Sequence, residues 1–175
     1  SCSLGFIKDK IDEAKTRMKK IEWIPAPLQK KAMIIQSSCW PLALYTSDTT
    51  YIGQQHYVGL RRSVLHALVG FWHTSSPFLA CRLLSKHVTD PFLFTLCLCA
   101  RTIRRLANLQ REVAIQTVQA IVDYNGSRPY GPASAFKCYL NHVGWSIQTD
   151  GTITGPENIS CNLLEDSTRL IVWTF

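Results

Sequence analysis

The chain has 175 residues, of which 46% are hydrophobic; this suits one globular domain or slightly more and excludes intrinsic disorder. The formal net charge of +7 indicates an anionic partner. The excess lies early, because residues 1–105 hold 15 Lys and Arg against 6 Asp and Glu, whereas residues 106–175 hold 4 against 6.

Seven cysteines form an odd set without the dense spacing of a secreted disulfide scaffold, which favours reduced thiols in the nucleus or cytoplasm. No apolar run approaches about 20 residues and no leader pattern is visible, so we expect neither a membrane span nor secretion. Because Ser1 is not an initiating Met and Phe175 ends an apolar segment, we expect a piece of a longer protein.

The first predicted element is an amphipathic helix with a basic outer surface. Apolar residues recur at helical spacing from Ile11 to Ile21, and the helix should end before Pro25. A second helix begins at Pro27 and must kink or end near Trp40–Pro41. Residues 46–53 have the composition of a loop.

The remaining elements are predicted from periodicity, caps and prolines. Apolar spacing predicts a helix from Leu60 to about Trp72 and another through Val113 and Ile121 that closes with a left-handed residue at Asn125–Gly126. Capping residues before proline predict helices over 77–87 and 91–107, and Pro132 opens a short helix that ends near Gly144. A strand, turn and strand follow over 145–154.

The fold class is therefore mostly α, with one short β-hairpin near 145–154. The one further strand that the pattern allows is an edge strand near Leu4. A weak boundary between two helical subdomains is predicted at Gly126 to Gly131, where the charge balance changes. Tyr45 follows three apolar residues, so it should be largely buried with its hydroxyl satisfied.

The sequence contains none of the common catalytic motifs. Cys97-x-Cys99 has the wrong spacing for a zinc ribbon, and the pair is interpreted as buried small apolar side chains. Loops that cradle phosphates and nucleophile elbows are absent from the sequence. The adjacent acids Asp12–Glu13 and Glu165–Asp166 are interpreted as charged surface, so neither a metal nor a cofactor is expected in this chain.

The basic residues form the best candidate site, because point charges at helical spacing suit a phosphate backbone. The alternative is a solvated charged face. The candidate nucleic-acid-binding residues are Lys15, Arg17, Lys19, Lys20, Lys30, Lys31, Arg61, Arg62, Arg101, Arg104 and Arg105. The first six lie on two consecutive helices, and folding is expected to bring several into one patch.

Several strings resemble the reverse transcriptases of non-LTR (LINE-like) retrotransposons, in the region after the catalytic Asp-Asp strand. Pro41-Leu-Ala43-Leu44-Tyr45 is similar to that family's Leu-Pro-x-Ala-Leu-Tyr-Gly string, with Trp40 in place of the Leu and Thr46 in place of the Gly. Shorter likenesses are Leu4-Gly5 with the primer-grip hairpin, Ala14 to Met18 with the helix after it, Leu60-Arg61-Arg62, Asp90-Pro91, Gly131 to Ala133, Gly144-Trp145 and Asp150-Gly151.

The resemblance implies a non-catalytic primer-grip, thumb and post-thumb region that holds an RNA or DNA template–primer duplex. The palm and fingers, with the magnesium-binding Asp residues, would belong to the parent polymerase. It implies a helical thumb-like bundle over 1–53, a helical connection over 54–126 and a small helical subdomain with the hairpin over 127–175. Because Thr46 stands where the family has Gly, an origin in a decayed copy of such an element also stays open.

Two other functions stay open. A stand-alone helical module could bind an acidic protein or a lipid surface through the same basic helices. An enzyme with a zinc centre built from Cys and His would be indicated by stoichiometric zinc in the purified protein.

Overall fold

The computed structural model of the chain describes residues 2–70, 76–126, 129 and 131–175, without the side chains of residues 2–4, 157, 172 and 173. The chain divides into two compact units. Residues 1–46 and 52–94 hold 12 Lys and Arg against 5 Asp and Glu, and we call them the basic unit. Residues 47–51 and 95–175 hold 7 of each and are called the neutral unit. The segments 1–53, 54–126 and 127–175 stay a prediction about organisation.

The basic unit begins with helix α1, Cys2–Glu22. The predicted stripe is buried and extends one turn further back, to Ile7, before the helix ends ahead of Pro25. The predicted edge strand near Leu4 and a hairpin at Leu4–Gly5 are wrong, because residues 2–6 continue the helix. No turn forms at Gly5, since its φ is not positive.

Three short segments follow: α2, Leu28–Ile34, a π turn, Ile35–Cys39, and α3, Trp40–Ala43. The kink predicted at Trp40–Pro41 is therefore a wide helical turn just before that dipeptide. Hydroxyls of Ser37 and Ser38 donate to the Ile34 carbonyl, a backbone acceptor at the start of this turn.

Trp40 is fully buried, and its indole Nε1 donates to the Val88 carbonyl at 3.0 Å. Tyr45, in contrast, is 75% exposed, so the prediction of a buried Tyr45 is wrong. The reason is its position: α3 ends at Ala43, and Tyr45 lies on the turn beyond the buried Leu44. The aromatic anchor of this region is Trp40.

The other helices of the basic unit are α4, Gln54–Val69, α5, Pro77–Leu83, and the start of α6, Pro91–Leu109. Both predicted caps are confirmed, since the Leu79 amide donates to Ser76 Oγ and the Leu93 amide donates to Asp90 Oδ1. Helix α5 ends four residues earlier than predicted. The predicted extension of α4 to Trp72 lies outside the described residues.

The neutral unit contains the rest of α6, then α7, Arg111–Asp123, and α8, Pro132–His142. The predicted left-handed stop at Asn125–Gly126 is wrong, because neither residue has a positive φ and α7 ends into extended backbone at Tyr124. The predicted end of α8 near Gly144 is confirmed, since that glycine has φ 72°.

A small antiparallel sheet follows, with β1, Ser146–Ile147, β2, Thr152–Thr154, and β3, Ser160–Asn162, in the order β1-β2-β3. The predicted hairpin is confirmed, with Ile147 opposite Ile153. Strand β3 and helix α9, Thr168–Thr174, were not predicted. The described chain is thus mostly helical with a small three-stranded sheet, as the fold class predicted.

Candidate nucleic-acid interface

Helices α1 and α4 pack side by side and run in the same direction. Lys15 lies against Gly59, with its Nζ 3.6 Å from the point that a Cβ of residue 59 would occupy. Seven residues further on each helix, His66 Nδ1 lies 2.9 Å from Glu22 Oε2. This fixed register brings candidate cations of both helices to one surface of the basic unit.

A groove of about 390 Å³ lies along this contact. It is lined from the α1 side by Lys19, Glu22 and Trp23, and from α4 by Arg62, Ser63, His66 and Ala67. Trp23 follows the end of α1 and is 82% exposed. The groove therefore combines two cationic side chains, one carboxylate paired with an imidazole, and one exposed indole.

Several predicted cations of α1 and α2 are held within the basic unit. Lys15 Nζ lies 3.2 Å from Asp12 Oδ1, and Arg17 Nη2 lies 2.9 Å from Glu13 Oε1. Hydrogen bonds from Lys10 and then Arg17 lower the pKa of Glu13, so this carboxylate stays charged beside them. Lys31 Nζ donates to the Glu22 carbonyl at 2.7 Å.

Other predicted cations are free. Lys19, Lys20, Lys30 and Arg62 are exposed and make neither an ion pair nor a side-chain hydrogen bond with any residue that the structure describes. Of these four, Lys19 and Arg62 meet at the groove. Three of the six predicted patch residues, Lys19, Lys20 and Lys30, are thus unpaired in the described chain, and the groove adds Arg62, a predicted cation from a different helix.

The adjacent Arg61 and Arg62 have opposite roles. The Arg61 side chain is 13% exposed and that of Asp90 is 1% exposed, and Arg61 Nε lies 2.5 Å from Asp90 Oδ2. The Arg61 guanidinium also lies over the Phe78 ring, 5.2 Å from its centroid. Arg61 is therefore a structural residue that ties α4 to the start of α6, whereas Arg62 points to solvent.

The three candidate arginines of α6 lie in the neutral unit. Arg104 donates to the Leu164 carbonyl, and Arg101 and Arg105 are exposed one turn apart on the helix. Two of the three thus remain accessible to a phosphate, and the third stabilises the loop after β3.

Among the residues of the family-like strings, Leu4 and Gly5 lie in α1, and Pro41 and Ala43 lie in α3. Ala43 and Leu44 are buried in the core of the basic unit, whereas Tyr45 is exposed. The string around Pro41 therefore forms the end of α3, and its buried residues Ala43 and Leu44 anchor that end to the core of the basic unit.

Sequence reasoning missed His66, Glu22 and Ser63 as neighbours of the groove. A signal was present in the spacing, because Lys19–Trp23 and Arg62–His66 are both pairs four residues apart and so share a helix face. What the sequence lacked was the register between α1 and α4, which pairs the two faces.

Cys39, Cys81, Cys97, Cys99 and Cys161 are buried, as predicted for Cys97 and Cys99, whereas Cys138 is half-buried. Burial raises the pKa of Cys97 to about 11 and raises that of Cys99 further. The described part of the chain contains no group of three or more His, Cys, Asp or Glu placed to hold a metal ion. Within residues 2–70, 76–126 and 131–175, none of the helices reaches the length and apolarity that crossing a bilayer requires.

No protein family, no curated protein and no solved structure matches this chain at a significant level.

Proposed function

We propose that this chain is a nucleic-acid-binding segment of a retroelement reverse transcriptase, in which the basic unit holds the template–primer duplex. One observation carries the proposal: the whole net charge of +7 belongs to the basic unit, where Lys19, Lys20, Lys30 and Arg62 are exposed and unpaired within the described chain. Unpaired cations on a folded surface suit a polyanion, because binding releases its condensed counterions.

The family-like strings supply the rest of the proposal. In it, the palm and fingers of the parent polymerase perform the magnesium-dependent chemistry, and this chain contributes no catalytic group. The acids of the described residues do not form a cluster that fits such a metal site, so no catalytic step is assigned to them.

The test is the affinity for a blunt duplex, either DNA or an RNA–DNA hybrid, measured across a series of salt concentrations. For Lys19→Ala plus Lys20→Ala, the slope of log K against log salt should flatten by roughly 0.9 for each phosphate that these side chains neutralise, in all sequences alike. The matched control is Lys137→Ala plus Arg169→Ala, which also removes two positive charges but takes them from the neutral unit.

The outcomes separate the candidates. An unchanged affinity and slope in the Lys19 and Lys20 variant would remove these residues from the site. An equal weakening in the control would mean that net charge alone acts. Absence of duplex binding, together with binding to anionic vesicles or an acidic protein, would replace the proposal by the interaction module. Arg101→Ala plus Arg105→Ala then determines whether the neutral unit also contributes.

A further inference from the structure

The groove between α1 and α4 has features that duplex binding alone does not use. Trp23 is 82% exposed, and its side chain has neither a ring partner nor a hydrogen-bond partner within the described residues. A duplex offers the protein phosphates and groove edges, whereas its base faces are stacked inside. An exposed indole next to cations therefore suits a strand whose bases are unpaired.

We infer that this groove binds one nucleotide of single-stranded nucleic acid, with its phosphate at Lys19 and Arg62 and its base stacked on Trp23. The inference rests on the proposed function, since it adds a single-stranded subsite to a duplex-binding segment. It specifies the structure of the preferred substrate as a duplex that carries an unpaired extension.

The charges of the groove set the direction of the nucleotide. Lys19 and Arg62 are the cations of the lining, and both are unpaired in the part of the chain that the structure describes. One turn further along α1, the Glu22 carboxylate is held at His66, 2.9 Å from its Nδ1. The carboxylate repels a phosphate, so the phosphate belongs at the Lys19 end.

The size of the groove also favours a single nucleotide. A volume of about 390 Å³ lies near the lower end of the roughly 300–1,000 Å³ typical of small-molecule sites. Base-on-aromatic stacking tolerates every base, because each has a π face. The groove is therefore expected to prefer single-stranded character and not a particular sequence.

The test compares the dissociation constants of a blunt duplex and of the same duplex with a short oligothymidylate extension. In the parent chain the extension should strengthen binding at least about fivefold, the lower limit of one stacked base. Trp23→Ala should remove most of this gain, leaving the smaller part that phosphate contacts supply, while its blunt-duplex affinity stays within about twofold of the parent. Trp23→Phe, which keeps an aromatic face, should retain most of the gain.

The matched control is Leu83→Ala, which removes an apolar side chain that is 81% exposed and lies outside the groove lining. It should keep both affinities. A second readout is quenching of indole fluorescence by free oligothymidylate, and the fraction that Trp23→Phe removes reports stacking on Trp23. Arg62→Ala should weaken oligothymidylate binding and flatten its salt slope by about 0.7, the value per contact for a single strand.

Failure of the inference differs from failure of the proposed function. A parent chain that binds blunt and extended duplexes equally, or a Trp23→Ala chain that keeps the gain, overturns the single-stranded subsite and leaves duplex binding intact. A parent chain that binds oligothymidylate through Trp23 but binds no duplex overturns the proposed function and keeps the subsite. Circular dichroism that matches the parent ensures that Trp23→Ala is folded.

Discussion

The basic unit and the neutral unit differ in how their charges balance, because the basic unit carries the whole net charge of +7 and the neutral unit holds equal numbers of both signs. Both units use some charges to stabilise the fold: in the neutral unit Arg111 pairs with Glu165, and Asp150 Oδ1 accepts the Thr152 amide at 2.8 Å, while Arg101 and Arg105 stay exposed. That hydrogen bond and one from the Thr152 hydroxyl lower the pKa of Asp150. In the basic unit Lys19, Lys20, Lys30 and Arg62 have no such partner in the described residues.

Net charge alone therefore does not locate a binding surface. A binding surface is located by cations that are both exposed and without an internal partner. A surface cation that is already paired binds a phosphate less strongly and releases fewer counterions. Substitutions in the basic unit can test whether its buried and paired side chains stabilise the fold while its exposed, unpaired ones do not. Substitutions in the neutral unit can test whether its stability depends on its glycine turns.

The largest effect is expected at Trp40 in the basic unit. Trp40→Ala removes a fully buried indole and its hydrogen bond to Val88, and it should lower the free energy of unfolding by about 3–5 kcal/mol. Tyr45→Ala, at a residue 75% exposed, should change it by less than about 0.5 kcal/mol. Urea unfolding of both variants gives the two values, and similar decreases would contradict the buried role assigned to Trp40.

Arg61 and Arg62 give the next contrast. Arg61→Ala leaves the buried Asp90 carboxylate without its cation, which should cost about 3 kcal/mol, at the low end for a buried pair because Arg61 keeps some exposure. Arg62→Ala should cost less than about 0.5 kcal/mol. Hydrogen exchange of peptides from the basic unit reports both, and strong deprotection by the Arg62 variant would break the proposed division of roles.

In the neutral unit the sensitive position is Gly151. Its φ is 85°, and a Cβ there would lie 2.8 Å from Leu164 Cγ, so Gly151→Ala combines backbone strain with a steric clash. We expect the free energy of unfolding to fall by about 2 kcal/mol. Gly144→Ala is the control, because its φ is 72° but no atom lies within 4 Å of the added methyl, and strain alone should cost about 1 kcal/mol. Equal decreases in urea unfolding would exclude the contact with Leu164.

The smallest effect is a pH dependence that both units share. Burial raises the pKa of Cys81 in the basic unit to about 12 and that of Cys97 in the neutral unit to about 11, from an ordinary value of 9.0. Unfolded thiols ionise first, so the unfolded state binds fewer protons above about pH 9 and stability falls as pH rises. Below that pH the contribution is complete.

Cys81→Ala and Cys97→Ala should each make this alkaline decline less steep, although each variant also starts from a lower stability. The measurement is the urea midpoint at several values between about pH 8 and about pH 10.5, which span the ionisation of the unfolded thiols. A decline of unchanged steepness in both variants would contradict the assignment to these thiols.

Local signals in the sequence predicted much of the fold. Ser76–Pro77, Asp90–Pro91 and Pro132 each mark a helix start, because a proline and a capping oxygen act within one turn. Strand β3 was missed because no tight-turn signal precedes it: Pro156–Asn158 form a 3-10 turn between β2 and β3, whereas Asp150–Gly151 marked the hairpin of β1 and β2. Tyr45 was misjudged because apolar neighbours do not reveal where a helix ends.

The candidate site was predictable only in part. The sequence contained its cations and Trp23, but it could not separate Arg61 from Arg62, because the partner of Arg61 lies 29 residues away at Asp90. The groove depends likewise on a contact between Glu22 and His66, which are 44 residues apart. Contacts over such separations are set by the packing of whole helices, which no local spacing records.

The π turn at Ile35–Cys39 has an evolutionary consequence. A π turn holds one residue more than an α turn, so a helix can absorb an inserted residue there and keep its flanking contacts. Here those contacts include the buried Ile35 at the start of the bulge and the buried Trp40 after it. Deleting one codon at the exposed Ser37 would therefore restore an ordinary helical turn and leave Ile35 and Trp40 close to their present positions. A second deletion has no bulge to absorb it and would rotate every later side chain, the tryptophan included, by about 100°.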